Sequence, residues 1–276
     1  MGSEPSASPI LVTKSPDGIT TITINRPAVR NCINHATSLQ LASVFRDFDA
    51  DPAQKVCVLT GAGPNFCAGY DLREVAGAAG PGEQLHVAEP VDKVNGANGP
   101  MGPSRMSLSK PVIAAVSGYA VAGGLELSLL ADMRVVDKSA VFGVFCRRFG
   151  VPLIDGGTVR LTKVIGLGRA MDMVLTGRPV GADEALSFGL ANRVVETGKA
   201  LDAALELARD IARFPQQCLR ADLSSMRHAT YDTTSLEDAL RYEFSGGSNV
   251  IQEESVEGAT KFTKGVGRSG SFKAKF

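Results

Sequence analysis

Two glycine-rich turns hold the residues best placed to do chemistry. The first is Gly61-Ala62-Gly63-Pro64-Asn65-Phe66-Cys67-Ala68-Gly69-Tyr70-Asp71-Leu72. The second is Ser117-Gly118-Tyr119-Ala120-Val121-Ala122-Gly123-Gly124-Leu125-Glu126. Small residues let backbone approach a ligand closely, and a helix opening after such a turn presents N–H groups with no partner inside the helix. Two turns of this kind facing each other would aim two N–H donors at one oxygen, the geometry that stabilises a developing oxyanion. Glu126 follows Gly123 by three residues. On a helix that is roughly 4.5 Å along the axis, so its carboxylate can reach a group held by the Gly123 N–H. Partial burial there would raise its pKa toward a range useful for proton transfer.

The elements around the turns explain how they are held. A strand over residues 55–60 ends at Gly61, and a buried strand over 111–116 leads into the second turn, which opens a helix over 123–131. Upstream, strands Ile10–Lys14 and Ile19–Ile24 join at Pro16-Asp17-Gly18. A helix over 35–51 follows, with Leu41, Val44, Phe45 and Phe48 at helical spacing. Short strands over 133–136 and 140–143 come after the site. From Val159 onward the pattern is helical, clearest over 201–214, where Leu201, Leu205, Ala208, Ile211 and Ala212 share a face. Strands interleaved with helices, then a helical tail, predict an α/β core with a C-terminal helical region. The Gly- and Pro-rich stretch over 77–103 reads as a mobile loop.

Composition narrows the function. The chain has 29 basic and 29 acidic residues, a balance that gives no electrostatic footprint for nucleic acid or an anionic membrane surface. No run approaches about 18 apolar residues, so no membrane span is expected. Five cysteines without a CxxC pair argue against a disulfide framework or a zinc site, and for a reducing compartment. The expected division is a disordered tail over 1–9, a core over 10–200 and a helical region over 201–276.

The two turns resemble those of the crotonase (enoyl-CoA hydratase/isomerase) superfamily. The resemblance runs from about Ile10 to Phe272. It includes Asn25-Arg26-Pro27 with Asn31, Phe66 to Leu72, Lys110 to Val116, Ala122 to Leu127, Phe142-Gly143, Gly156-Gly157-Thr158, Leu175 to Arg178 and Ala185 to Val195. Each motif is weak alone; their order and spacing together are specific. The resemblance implies an α/β fold, a spiral of ββα turns whose C-terminal helices serve trimerisation, as a homotrimer or a hexamer. It implies an acyl-CoA thioester as substrate, no metal, and no cofactor beyond the coenzyme A that the substrate carries. The oxyanion hole would be the N–H groups of Ala68 and Gly123. Glu126, matching one of the two glutamates that hold and activate water in the family's hydratases, would position water or exchange a proton at the α or β carbon. The substrate and its coenzyme A moiety would meet Arg26, Cys67, Gly69, Asp71, Gly124, Cys146 and Lys264, with Arg26, Lys264 and Arg268 as phosphate contacts. The cytoplasm is the expected location, with mitochondrion and peroxisome as alternatives.

One departure stands out. The family's hydratases place a second glutamate three residues after the Phe-Gly pair, where this chain has Cys146. A thiol does not act as a carboxylate at neutral pH. Asp155 is a nearby acid and the substitute candidate for the second acid–base role, although it does not align strictly with the catalytic aspartate of other members. The bland readings stand beside these. Cys146 can be a small buried hydrophobe or, with Arg147 and Arg148 beside it, an activated thiol. Asp155 can be a turn residue and Asp71 a local backbone cap. The surface charges Arg26 and Lys264 can be incidental, as can His35, His86 and His228. The expected activity is addition of water to a 2-enoyl-CoA. The alternatives are double-bond isomerisation, another crotonase reaction, or a non-catalytic acyl-CoA-binding subunit.

Overall fold

A computed structural model describes residues 8–77 and 98–265. The expectations for the N-terminal tail, for most of the 77–103 stretch and for His86 and Arg268 therefore fall wholly or mainly outside the described residues. The first layer is a six-stranded sheet in the order β1-β2-β3-β4-β6-β9. Strands β1 (Ile10–Lys14) and β2 (Ile19–Ile24) form an antiparallel hairpin with Ile10 opposite Ile24. Helix α1 (His35–Ala50) is capped by Asn34, whose side chain accepts the Thr37 N–H, and buries Leu41, Phe45 and Phe48. Strand β3 (Val56–Gly61) runs parallel to β2, and α2 (Leu72–Gly77) follows the first glycine-rich turn.

Strand β4 (Val112–Val116) lies parallel to β3. It is buried along its whole length, as its unbroken apolar run predicts for a central parallel strand. Strand β5 (Tyr119–Val121) leaves this sheet and starts a second, three-stranded one in the order β5-β7-β8. It delivers the chain into α3 (Gly123–Leu130), every residue of which is buried. Strand β6 (Met133–Asp137) returns to the large sheet, and β7 (Val141–Gly143) pairs in parallel with β5. Helices α4 (Gly157–Ile165) and α5 (Leu167–Thr176) come next. They are followed by β8 (Val180–Gly181), α6 (Ala182–Phe188) and β9 (Arg193–Val195). Strands β8 and β9 interrupt the helical run expected after Val159. They are two and three residues long, too short to show a period of two.

Helix α7 (Ala200–Ala212) closes one face of the large sheet over Ile19, Val58, Ile113 and Val135. Its buried residues are Ala200, Ala203, Ala204, Leu207, Ala208 and Ala212. The expected face was turned too far: Leu201, Leu205 and Ile211 flank the contact half-covered. Alanines let the helix approach the sheet closely, and the larger side chains fill the margins. Helices α8 (Gln216–Arg227), α9 (Leu236–Val250) and α10 (Val256–Thr263) complete the chain. Among the described residues, no helix is long and apolar enough to cross a membrane. All five cysteines are free.

Candidate active site

The two glycine-rich turns lie side by side because their backbones pair. The Cys67 N–H donates to Tyr119 O at 2.9 Å and the Val121 N–H to Cys67 O at 3.1 Å. The next step is a close approach. A Cβ on Gly124 would sit 1.9 Å from the Cys67 carbonyl oxygen, so a side chain there is impossible without moving the first turn. Gly69 has φ of +100°, a region open to glycine, and a Cβ on it would lie 3.1 Å from the Gly123 nitrogen. Cys67, Gly69 and Gly124 thus join the two turns through backbone, and the Cys67 side chain is fully buried. Ala122, which hands the chain to α3, has φ of +53°, a strained value for a residue with a Cβ.

The geometry corrects one expected oxyanion donor. The Ala68 N–H already donates to Arg30 O at 3.0 Å, so it is not available for a ligand. Its neighbour two residues on is differently placed. The Ile33 N–H donates to Gly69 O at 2.9 Å and the Asp71 N–H to Ile33 O at 2.8 Å. This bridge leaves the Tyr70 N–H on the opposite edge, without an acceptor among the described residues. The Gly123 N–H is likewise without one. Tyr70, Gly123 and Glu126 line one cavity of about 660 Å³. Sequence reasoning found the turn but misjudged which of its N–H groups is left without an acceptor, because the alternation is set by the pairing of residues 33 and 70, distant in sequence.

Glu126 is 2 % exposed and lies on the buried helix α3. Its Oε1 accepts two backbone N–H bonds, from Asp155 and Gly157, each at 2.8 Å. Its Oε2 accepts none from a described residue. Burial, then the charge of Asp155, pushes the Glu126 carboxyl up to about 7, against the pull of the two N–H bonds. A carboxyl so poised gives or takes a proton near neutrality.

Asp155 also lines the cavity and is 3 % exposed. Its Oδ1 is already engaged, by the Met101 N–H at 3.0 Å and the Ser104 hydroxyl. Burial raises its pKa, opposed by the Ser104 and Met101 bonds. Arg160 donates from Nη1 to Ser104 O at 2.5 Å and Asp155 O at 3.3 Å, knitting the same corner. Ser104, Met101 and Arg160 carried no motif in the sequence, since they come from a turn and a helix with no catalytic signature.

Cys146 lines the cavity and is buried. Burial, and then the Glu126 charge, raises its thiol pKa, and this outweighs the lowering by Arg147. The activated-thiol alternative is thereby disfavoured. Arg26 and Asp71 do not line the cavity but face each other beside it. Arg26 Nη2 lies 3.5 Å from Asp71 Oδ2, and Arg26 Nη1 donates to Cys32 O. Arg73 donates from Nε and Nη2 to the two Asp71 oxygens at 2.9 and 2.7 Å and holds the Asp71 carboxyl below its ordinary range. Asp71 also accepts the Arg73 N–H, as a local cap does. Lys264 stands exposed just after α10 and does not line the cavity.

The chain is similar to known proteins over most of its length. The model of the family described as enoyl-CoA hydratase/isomerase matches residues 14–266. The chain belongs to this family. The mevalonyl-coenzyme A hydratase of Beauveria bassiana is 40 % identical over 192 residues, 69 % of each chain. The carnitinyl-CoA dehydratase of Escherichia coli K12 is 36 % identical over 253 residues, 88 % of this chain and 91 % of its own. The crystal structure of an enoyl-CoA hydratase from Mycobacterium marinum superposes with a TM-score of 0.84 at 34 % identity, over 94 % of this chain and 97 % of that one. The α/β architecture with its C-terminal helical region is the crotonase fold of these enzymes.

Proposed function

We propose that this family member is a hydro-lyase that adds water to a 2-enoyl-CoA thioester. The thioester carbonyl would lie between the N–H groups of Tyr70 and Gly123, with Gly123 retained from the sequence expectation and Tyr70 replacing Ala68. As the enolate forms, both N–H dipoles meet a growing negative charge without having to reorganise. Glu126 would exchange the proton, its Oε1 held by two N–H bonds and its Oε2 left for water or the substrate carbon. The observation that carries the reading is this one carboxyl, buried in the cavity that Tyr70 and Gly123 also line, whose N–H groups have no acceptor among the described residues. The named activities of the relatives, two hydratases and a dehydratase, support it. The coenzyme A chain would run along the Cys67 to Leu72 segment, past the Arg26–Asp71 pair.

Double-bond isomerisation is the second reading. It is favoured by Cys146, a protonated thiol where the resemblance calls for a second carboxylate. Moving a proton between carbons needs one acid–base group; adding water is helped by two. Self-association through the C-terminal helices is part of the proposal. Helix α9 exposes Leu236, Leu240 and Phe244, spaced as one stripe, and neither α9 nor α10 has a buried residue.

The test is loss of the conjugated enoyl-thioester absorbance with crotonyl-CoA, comparing wild type with Glu126→Gln. Rapid loss that collapses in the variant supports hydration. Tight thioester binding with no loss contradicts it.

A further inference from the structure

Asp155 was expected to supply a second acid or base, yet the carboxylate is clamped by groups that are not substrate. Its Oδ1 takes the Met101 N–H and the hydroxyl of the fully buried Ser104. The space around the clamp is full: a Cβ on Gly99 would lie 2.1 Å from Ser104 Oγ and 2.3 Å from Asp155 Oδ1. The backbone N–H of Asp155 lies 2.8 Å from Glu126 Oε1 and donates to it. Met101, tied to the same carboxylate, lies against the start of α3, where a Cβ on Gly123 would meet its sulfur at 2.5 Å.

We infer that Asp155 is a positioning residue for Glu126: its carboxylate, fixed by Ser104 and the Met101 N–H, holds its own N–H on Glu126 Oε1 and keeps a negative charge beside that carboxyl. This rests on Glu126 being the proton-exchanging group of the proposed reaction. The charge has a consequence for the proton. A carboxylate near another carboxyl in a dry site makes the second ionisation harder. Burial and Asp155 raise the Glu126 pKa, while Arg160 from α4 lowers it. The other titratable groups facing this corner are Cys146 after β7, which feels the Glu126 charge, Arg105, which faces Asp155, and Arg227 and Tyr231, which face Arg160. Glu126 and Asp155 thus share the Arg160 guanidinium, which favours the charged form of both.

The experiment is an infrared titration of the Glu126 carboxyl band in the ligand-free protein, assigned by its absence in Glu126→Gln. It is paired with the pH profile of kcat/KM for crotonyl-CoA. Asp155→Asn keeps an oxygen to accept both clamp bonds and keeps the backbone N–H, but removes the charge. The Glu126 titration is expected to move down by about one pH unit or more, with the limb of the profile that Glu126 sets moving alongside it. Ser104→Ala, which loosens the clamp, should move the titration a smaller distance in the same direction. An unmoved Glu126 titration in folded Asp155→Asn overturns the inference. So does abolition of activity at every pH with the titration in place, which would make Asp155 an acid–base group that touches substrate. If wild type hydrates no enoyl thioester, the reaction fails, and the infrared titration still decides the role of Asp155.

Discussion

The cavity and the C-terminal helices break the rule of apolar inside and polar outside in opposite senses. At the cavity, Glu126, Asp155 and Ser104 are buried almost completely on elements packed from both sides. On α9, Leu236 and Phe244 are 74 % and 76 % exposed. Buried carboxyls cost stability and exposed apolar stripes invite association, so neither arrangement serves the folding of one chain. The first is what proton chemistry near neutrality needs, and the second is what a second copy of the chain would cover. The difference teaches where to look: function stands at the places where folding alone would have chosen another residue.

The sharpest way to break the first half of this comparison is to remove the carboxyl and keep its shape. Glu126→Gln should lower kcat for enoyl-thioester hydration by about 10² to 10⁴-fold, the usual worth of a positioned acid–base group. Thioester binding should persist, as a titration with a saturated acyl-CoA would check. Gly124→Ala comes next. Its Cβ would collide with the Cys67 carbonyl at 1.9 Å, so the turns must part and the Gly123 N–H must swing. The expected result is about 10²-fold lower kcat, as for a lost oxyanion donor, with a lowered Tm.

Stability against pH tests the same buried group without substrate. The Glu126 carboxyl is raised from 4.5 to about 7 on folding, so between those values the folded state holds more protons than the unfolded one. Its stability therefore falls as pH rises through that window, by about 3 kcal/mol when complete. Glu126→Gln removes this slope. The variant should gain Tm over wild type at pH 8 relative to its difference at pH 5, measured by calorimetry. The second half of the comparison is tested by Phe244→Glu, which should shift sedimentation toward smaller species and leave far-ultraviolet dichroism unchanged. Cys146→Ser should have the smallest effect, less than about tenfold in kcat/KM, or under about 1.4 kcal/mol, because the thiol is held protonated.

How much of this was legible in the sequence follows the range of the interactions. The two glycine-rich turns, α1 with its apolar spacing, the central strands and Glu126 after Gly123 are local patterns, and each has a period or a spacing that a linear reading detects. Which N–H is left without an acceptor is different. It depends on the pairing of Ile33 with Tyr70, and the Ala68 N–H is taken by a carbonyl 38 positions earlier (68 − 30). The Asp155 clamp needs Ser104 and Met101, more than fifty positions away, and nothing in either segment marks it. The face of α7 was misread because alanines carry little hydrophobic weight in a pattern, although they give the closest contact with the sheet.

The most direct test of the central claim is the fate of solvent oxygen. Crotonyl-CoA would be incubated with the enzyme in heavy-oxygen water and the thioester product weighed by mass spectrometry, for wild type and Glu126→Gln. Hydration through Glu126 predicts one solvent oxygen in the wild-type product and almost none with the variant over the same time. A product without solvent oxygen, formed at a rate that still depends on Glu126, would contradict hydration and assign the site to proton transfer between carbons.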